Sequence, residues 1–253
     1  MITNPFDLTG KKIVITGASS GLGRQCAITI NFLGGFVFLI GRNLERLQET
    51  ANLLDNDRYL IIEADITDYD RTTDQLEKVL GESKIDGLIH AAGVSTTLPL
   101  RNITPQKLHS FFETNVYAGI NITKLLTKTK FANPEGMSVV FIASVMGVVG
   151  ELGKTIYSLT KGALVSGTKS LALELASKKI RVNCISPGVV LTPMTTKAVY
   201  TQNEEAYNLV KSLHPLGFGM PEDVANACAF LLSRGGEWIT GTNLIVDGGY
   251  TAK

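Results

Sequence analysis

The stretch KIVITGASSGLG, residues 12–23, decides the fold of this chain. Its first five residues form the short apolar run that is typical of a strand buried on both faces. The next seven place glycines at 17, 21 and 23, and a helical segment is predicted from about Leu22 to Leu33. A strand, a glycine-rich turn and a helix in this order predict the opening unit of a parallel α/β sheet.

The same alternation continues to the end of the chain. Further apolar strands are predicted at 36–40, 59–64, 86–91, 138–144, 180–186 and 243–248. Helices are predicted between them, at 44–54 with Asn43 as its cap, at 69–80, from Thr104 onwards with Pro105 in its first turn, at 155–177 and from Pro221. We therefore predict one doubly wound parallel sheet of about seven strands with helices on both faces, and a single domain over 1–253.

Composition excludes several classes of function. The net charge is +1 and the Lys and Arg residues are scattered, so we expect no nucleic-acid partner. The longest apolar runs, such as 36–40, are too short to cross a bilayer, and the first twelve residues lack the apolar core of a signal peptide. Cys26, Cys184 and Cys228 form no CxxC pair, so we expect buried reduced thiols, no metal site and a cytoplasmic protein.

Ligands of open parallel sheets bind beyond the carboxyl ends of the strands, so the residues after each predicted strand form the candidate site. After the first strand, Gly17, Gly21 and Gly23 allow the backbone to approach a pyrophosphate, which the start of the helix would bind. Their spacing is GxxxGxG rather than the commoner GxGxxG, but their place between strand and helix favours a dinucleotide. The other candidate contacts in this turn are Ser19, Ser20 and Leu22.

Arg42 follows the second strand, where a carboxylate would bind the ribose 2′-hydroxyl of NAD. A guanidinium there can bind a 2′-phosphate, with Arg24 as a second candidate. We therefore predict NADP(H) as the cofactor, with NAD less favoured. After the third strand come Asp65 and Ile66, and Asp65 either accepts from the adenine amino group or caps the next helix, a role that Asp68 can take instead.

Small residues follow the fourth strand, where Ala91, Ala92 and Gly93 leave room for an adenine and a ribose against the backbone. His90, just before them, is interpreted as a structural histidine, because no acid or nucleophile pairs with it. After the fifth strand comes Ser144, with Tyr157 thirteen residues later and Lys161 four residues after that. Residues four apart lie on one helical face, although such a pair alone is weak evidence for chemistry.

These stretches together resemble the short-chain dehydrogenase/reductase family. The matching motifs, in order over essentially the whole chain, are TGASSGLG, HAAG, TNVYAG, Ser144, YSLTK, RVNCISPG and ITGTNLIVDGG. His90 departs from the Asn that is common at its position. The resemblance implies a Rossmann-type fold, a catalytic set and cofactor contacts in the loop after the sixth strand. The catalytic set is Asn115, Ser144, Tyr157 and Lys161, and the loop contacts are Pro187, Gly188, Val190 and Thr192.

The resemblance implies reduction of a carbonyl by hydride from the cofactor, with Tyr157 as the proton donor. A lysine on the same helical face, with an oxidised nicotinamide nearby, would favour the phenolate and so lower the tyrosine pKa. Ser144 would stabilise charge on the substrate oxygen, and Lys161 would also hold the nicotinamide ribose. Asn115, as the resemblance implies, would order a water in a proton relay. As a poor helix former, its amide can also divert local backbone hydrogen bonds.

The substrate is less clear from the sequence. Within the family, reductases of 3-oxoacyl groups on acyl carrier protein look closest, with Arg101 as a candidate contact for such an acidic partner. A sugar, a steroid or another secondary alcohol is the alternative substrate. The apolar lining is predicted from Val145, Met146, Val148 and Val149, and a lid is predicted at about 190–215, helical near 203–213.

Two further interpretations belong to other classes. A dinucleotide-sensing protein without catalysis would not need the proton donor, and a methyltransferase-like Rossmann domain would explain the first glycine turn but not Tyr157 and Lys161. We also expect a homodimer or homotetramer, paired through helices at 104–129 and 155–177. The small residues that would permit this close approach are Gly119, Gly162, Ala163 and Ala172.

Overall fold

A computed structural model describes residues 4–55, 57–195 and 203–252. Seven strands of these residues form one sheet in the order β3-β2-β1-β4-β5-β6-β7, and every neighbouring pair is parallel. The predicted doubly wound sheet is confirmed. The strands are β1 Lys12–Thr16, β2 Phe36–Gly41, β3 Tyr59–Glu63, β4 Gly87–His90, β5 Met137–Ile142, β6 Ile180–Pro187 and β7 Asn243–Val246.

Helices cover both faces of the sheet. They are α1 Gly21–Phe32, α2 Leu44–Ala51, α3 Tyr69–Leu80, α4 Pro105–Phe112, α5 Ala118–Leu126, α6 Thr155–Leu175, α7 Glu204–Ser212 and α8 Pro221–Leu232. Alternate residues of each strand point to opposite faces, so Val14 belongs to one core cluster and Ile13 and Ile15 belong to the other. The first cluster packs against α3, α5 and α6, and the second packs against α1 and α8.

The predicted long helix from Thr104 is not continuous. Thr104 caps α4 by accepting a hydrogen bond from the Lys107 amide, and Pro105 opens the helix, as predicted. A π-helical turn at Glu113–Tyr117 then separates α4 from α5. Asn115 lies in this turn and is fully buried, so the wider turn directs its amide into the protein.

Smaller differences occur at element ends. Asn43 caps α2 through the Arg46 amide, but the helix ends at Ala51 rather than near residue 54. The predicted helix at 155–177 ends as α6 at Leu175 and continues as a 3-10 turn, Ala176–Lys178. Helix ends lack four intrahelical partners, so local hydrogen bonding rather than apolar periodicity decides where they stop.

The register of the sheet brings the candidate site together. Thr16 pairs with His90, His90 with Phe141, and Phe141 with Cys184. The segments that follow β1, β4, β5 and β6 therefore leave the same edge of the sheet side by side, although they lie far apart in sequence.

The predicted lid at about 190–215 is described in part, because residues 196–202 lie outside the described residues. The predicted helical segment is confirmed as α7, which Asn203 caps by accepting from the amides of Glu205 and Ala206. Of the helices in the described parts of the chain, none combines the length and the apolar character that a membrane span needs.

Candidate active site

The glycine-rich turn between β1 and α1 is built by close approach. Gly17 and Gly21 have φ angles of 69° and 55°, which L side chains rarely adopt. A Cβ on Gly17 would lie 2.8 Å from the Ala92 nitrogen, and one on Gly23 would collide with the Gly17 carbonyl oxygen. The turn thus packs directly against the HAAG loop, and only glycine fits there.

The start of α1 fits a pyrophosphate. Ser20 is the N-cap, but no side chain caps the helix, and its first turn contains no acidic residue. Its first amide groups and the positive end of the helix dipole therefore face the turn without a competing carboxylate. The predicted contacts Ser19, Ser20, Gly21 and Leu22 lie here, and the residues present fit a dinucleotide.

The two arginines proposed for a 2′-phosphate differ in their surroundings. Arg24 donates to Glu49 Oε2 at 2.7 Å, to the Ser19 carbonyl at 2.8 Å and to Thr50 Oγ1 at 3.0 Å, so its guanidinium already has partners. Arg42 is largely exposed. No carboxylate is adjacent to Arg42 in the sequence, but the fold places an oxygen of Asp65 3.9 Å from Arg42 Nη1.

Asp65 does not cap a helix. Asp68 caps α3 by accepting from the Arg71 amide, whereas Asp65 Oδ1 accepts from the amide and hydroxyl of Thr67. Partial burial acts to raise the pKa of Asp65, but the Thr67 hydrogen bonds and Arg42 hold it below its usual value. Asp65 therefore remains a candidate acceptor for an adenine amino group, while the Ile66 side chain packs in the core.

His90 is buried, and of its two ring nitrogens Nε2 has no hydrogen-bond partner among the described residues. Its Nδ1 lies 2.9 Å from the Thr16 hydroxyl, which also accepts from the Ala92 amide at 3.2 Å. Burial, together with the nearby Lys161, lowers the pKa of His90 to about 3, so the ring is neutral. The ring also explains Gly119, because a Cβ there would lie 2.6 Å from His90 Cδ2.

The proposed catalytic side chains meet at the end of β5. The Ser144 hydroxyl accepts from the Met146 amide at 3.2 Å, and Ser144 and Tyr157 line the same two cavities. Lys161 lies one turn further along α6, with Nζ 5.6 Å from the centre of the Tyr157 ring. Its ammonium donates to the Ile142 carbonyl at 2.7 Å and is almost fully buried.

Burial governs the titration of both groups. It raises the pKa of Tyr157, against the smaller opposite effect of the neighbouring Ser144 hydroxyl. It lowers the pKa of Lys161 to about 8. The sequence predicted that Lys161 lowers the pKa of Tyr157. With the protein's own residues alone the pKa is raised instead, because burial of the phenol has the larger effect and the Lys161 ammonium is bonded to Ile142.

Asn115 connects two parts of the site. Its Oδ1 accepts from the Val94 amide at 2.8 Å, and its Nδ2 donates to the Val94 carbonyl at 3.0 Å and to Thr160 Oγ1 at 2.9 Å. The amide thereby fixes the loop after β4 against α6. Sequence reasoning missed both partners, although the hydroxyl of Thr160, beside Lys161, was a signal that could have been weighed.

Two cavities meet at Ser144 and Tyr157. The smaller, of about 110 Å³, is lined by ten predicted residues, namely Leu22, Ala91, Gly93, Ser144, Tyr157, Lys161, Pro187, Gly188, Val190 and Thr192. Met194 and Thr195 line both cavities; they lie within the predicted lid, although neither was singled out as a site residue. A third cavity of about 510 Å³ lies at the opposite edge of the sheet and contains none of the predicted residues.

The larger of the two cavities, of about 630 Å³, is lined by both apolar and polar side chains. Apolar side chains come from the segment after β5, the loop after β6 and the described part of the lid, namely Val145, Met146, Val189, Leu209, Val210 and Leu213. Polar side chains come from Ser95, Thr96, Thr97, Glu151, Lys154 and Tyr250. Val145 and Met146 were predicted here correctly, whereas Val148 and Val149 do not line it, and Val148 is exposed.

Comparison with known proteins gives relatives along nearly the whole chain. A family model described as enoyl-(acyl carrier protein) reductase matches residues 17–251. A 3-oxoacyl-[acyl-carrier-protein] reductase of Rickettsia felis is 35% identical over 246 residues, covering 96% of this chain and 98% of the relative. An NAD-dependent glycerol dehydrogenase of Listeria innocua is 35% identical over 254 residues, covering 98% and 96%.

A solved structure from Agrobacterium tumefaciens, described as a 2-deoxy-d-gluconate 3-dehydrogenase with bound NADP, has the same fold. It superposes with a TM-score of 0.85 at 26% identity over 99% of this chain and 100% of that one. The extent of the family match and the identity to these relatives show that the chain is an oxidoreductase of the short-chain dehydrogenase/reductase family.

Proposed function

We propose that the chain reduces a carbonyl to a secondary alcohol, with NADPH as the hydride donor and Tyr157 as the proton donor. One observation carries the proposal: Ser144 and Tyr157 lie together where the two cavities meet, and both side chains line both cavities. A carbonyl oxygen held by these two hydroxyls faces the cofactor side through the smaller cavity. NADPH, when bound, supplies the hydride.

The chain's own residues take distinct parts. Ser144 donates to the substrate oxygen and stabilises the charge that develops on it, while Tyr157 delivers the proton. Lys161 is cationic at neutral pH and lies in the smaller cavity, where its ammonium can hold ribose hydroxyls. Both N–H groups of the Asn115 amide are used and its oxygen accepts from Val94, so the relay implied by the resemblance would draw on backbone groups of the π-helical turn.

NADP(H) is favoured over NAD by the exposed guanidinium of Arg42 after β2. The Agrobacterium tumefaciens structure holds NADP, but the Listeria innocua relative is named as NAD-dependent, so relatives differ in this choice. Arg42 is therefore the residue on which the cofactor assignment depends.

Two substrate classes fit the larger cavity. A 3-oxoacyl thioester on acyl carrier protein is favoured by the apolar wall and by the Rickettsia felis relative. A sugar or another small polyol is the second candidate, because Ser95, Thr96 and Thr97 also line the cavity, where Lys154 donates to Thr97 Oγ1 at 2.9 Å. Arg101, the candidate contact for an acidic partner, is exposed in a 3-10 turn, Leu100–Asn102.

A substrate panel tests the proposal. The protein is mixed with NADPH or NADH and with 3-oxoacyl thioesters, keto-sugars or cyclic ketones, and loss of reduced-cofactor absorbance is followed. We expect NADPH oxidation with at least one class and much less with NADH. Turnover of no ketone above the level of a Tyr157→Phe control would overturn the proposal.

We also propose a dimer or tetramer that acts in the cytoplasm, without nucleic acid or membrane, and with the segment at about 190–215 as its lid. Large apolar side chains exposed on the single chain, Tyr117, Ile120, Leu159 and Leu173, offer a surface for pairing. Two of the small residues expected to permit pairing have other neighbours: Gly119 faces the His90 ring, and Ala172 packs in the core. The three cysteines are free and buried, which fits a reducing compartment.

A further inference from the structure

His214, just after α7, uses both of its ring nitrogens. Its Nε2 lies 3.1 Å from the Val189 amide nitrogen, and its Nδ1 lies 2.9 Å from the Val210 carbonyl oxygen. An amide can only donate and a carbonyl can only accept, so the ring is neutral and carries its proton on Nδ1. It therefore accepts from one segment of the chain and donates to another.

The ring is fixed on its faces as well. It is only 3% exposed. It stacks on Tyr250 with centroids 4.8 Å apart, and its edge meets Phe218 at 5.4 Å. Because the ring has this little freedom, it can hold the two segments that it joins at a fixed distance from each other.

Those two segments form different parts of the site. Val189 belongs to the loop after β6, and its neighbours Gly188 and Val190 line the smaller cavity. The segment that ends at His214 supplies Leu209, Val210 and Leu213 to the apolar wall of the larger cavity. Val189 and His214 also line the larger cavity, so His214 joins the α7 wall of that cavity to a loop that borders both cavities.

We propose that His214 is a positioning residue that holds the α7 wall against the loop after β6 and so sets the width of the larger cavity where the substrate binds. We call the hydrogen bond from the Val189 amide to His214 Nε2 the clasp. The effect of the clasp on catalysis rests on the proposed function, but its existence does not. The backbone of Val189 is also held by Gly219, whose amide donates to the Val189 carbonyl at 3.0 Å, so loss of the clasp should loosen the loop rather than unfold it.

Two isosteric substitutions separate the two ring bonds. In His214→Gln the side-chain oxygen reaches the place of Nε2 and can still accept from Val189. In His214→Asn the amide reaches only the place of Nδ1, so it keeps the bond to Val210 and loses the clasp. Both variants remove the ring and its stacking on Tyr250, so each is the other's control for lost packing.

The first readout needs no substrate. Hydrogen–deuterium exchange is measured on the peptide that contains Val189. We expect His214→Asn to speed exchange at Val189 by about fivefold or more, the effect of one lost neutral hydrogen bond, and His214→Gln to stay near the wild type. Equal exchange in the two variants would overturn the clasp.

The second readout is steady-state kinetics with whichever ketone is turned over. We expect His214→Asn to raise the substrate KM about fivefold or more while kcat changes less than twofold, and His214→Gln to recover most of the loss. A purely structural role would lower the melting temperature of both variants alike and leave KM unchanged, which would contradict the proposal. If no ketone is turned over, the proposed function fails while the exchange result still decides the clasp.

Discussion

Lys161 is a buried ammonium, and its pKa predicts how its removal changes stability. The unfolded value is 10.5 and the folded value is about 8, so below pH 8 the folded protein carries the full penalty of burying a charge. Between about pH 8 and 10.5 the folded protein loses that proton first, and the penalty fades by about 1.4 kcal/mol per pH unit.

Lys161→Met should therefore gain stability relative to the wild type at pH 7, by about 1–3 kcal/mol, less whatever the lost bond to Ile142 contributes. The difference in unfolding free energy between the two proteins should narrow as pH rises to 10. The variant should also bind NADPH more weakly than the wild type. Chemical denaturation of both proteins at pH 7 and pH 10 measures this. A gap that does not change with pH would show that the lysine is not desolvated as described.

Arg42 carries the prediction on cofactor choice. Charge-assisted hydrogen bonds to the 2′-phosphate should favour NADPH over NADH by ~1.5–3 kcal/mol, roughly ten- to a hundredfold in Kd. Arg42→Asp should erase or invert this preference, and Arg42→Lys, which keeps a charge without the planar fork, should retain part of it. Titration of both cofactors by fluorescence measures the ratio, and equal affinities in the wild type would contradict the assignment.

At the scale of elements, two helix glycines should respond in opposite ways to alanine. Gly119 in α5 faces the His90 ring, so a Cβ there forces the packed ring to move, and Gly119→Ala should destabilise by about 1–3 kcal/mol. Gly167 in α6 has nothing within 4 Å of its Cβ position. Gly167→Ala should therefore stabilise by about 0.5–1 kcal/mol through helix propensity.

Thermal and urea unfolding of the two variants measures these changes. A second variant, His90→Ala, opens the space beside Gly119, and the double variant with Gly119→Ala should lose less stability than the sum of the single changes. Strict additivity would mean that Gly119 is required for some reason other than the ring.

Local rules were enough to predict much of the fold and part of the site. Tyr157 and Lys161 share a face because four residues make about one helical turn, and the strand ends meet because parallel strands align their carboxyl ends. Those relations depend on sequence spacing and on one general property of α/β sheets. They hold without knowledge of any particular side-chain contact.

The remainder depends on contacts between distant segments. The π-helical turn arises where Asn115 reaches Val94 and Thr160, and Asp65 lies beside Arg42 only after β2 and β3 pair. Arg24 looked available for a phosphate until α2 brought Glu49 to it. Single-sequence patterns carry no information on such pairings, so the hydrogen-bond partners within the site were the part that was missed.

At the scale of the whole molecule, we expect association through the apolar side chains exposed on α5 and α6. Ile120 and Leu173 together with their neighbours would remain in water in a 27.2 kDa monomer. Light scattering at micromolar concentration should give a mass of two or four chains, and a monomeric mass would contradict the proposed assembly. Leu173→Lys, which places a charge on this surface, should shift the mass downward if α6 contributes to the interface.

The segments that follow the strands bring the cofactor side and the substrate side of the site together at Tyr157, and one substitution tests its role. Tyr157→Phe keeps the ring and its packing and removes only the hydroxyl that lies beside Ser144 in the two cavities. Melting temperature and NADPH affinity should stay near those of the wild type, while turnover of the best ketone should fall by at least ~10²-fold, the low end for a lost general acid. A Tyr157→Phe enzyme that folds, binds NADPH and turns over at the wild-type rate would contradict the central claim.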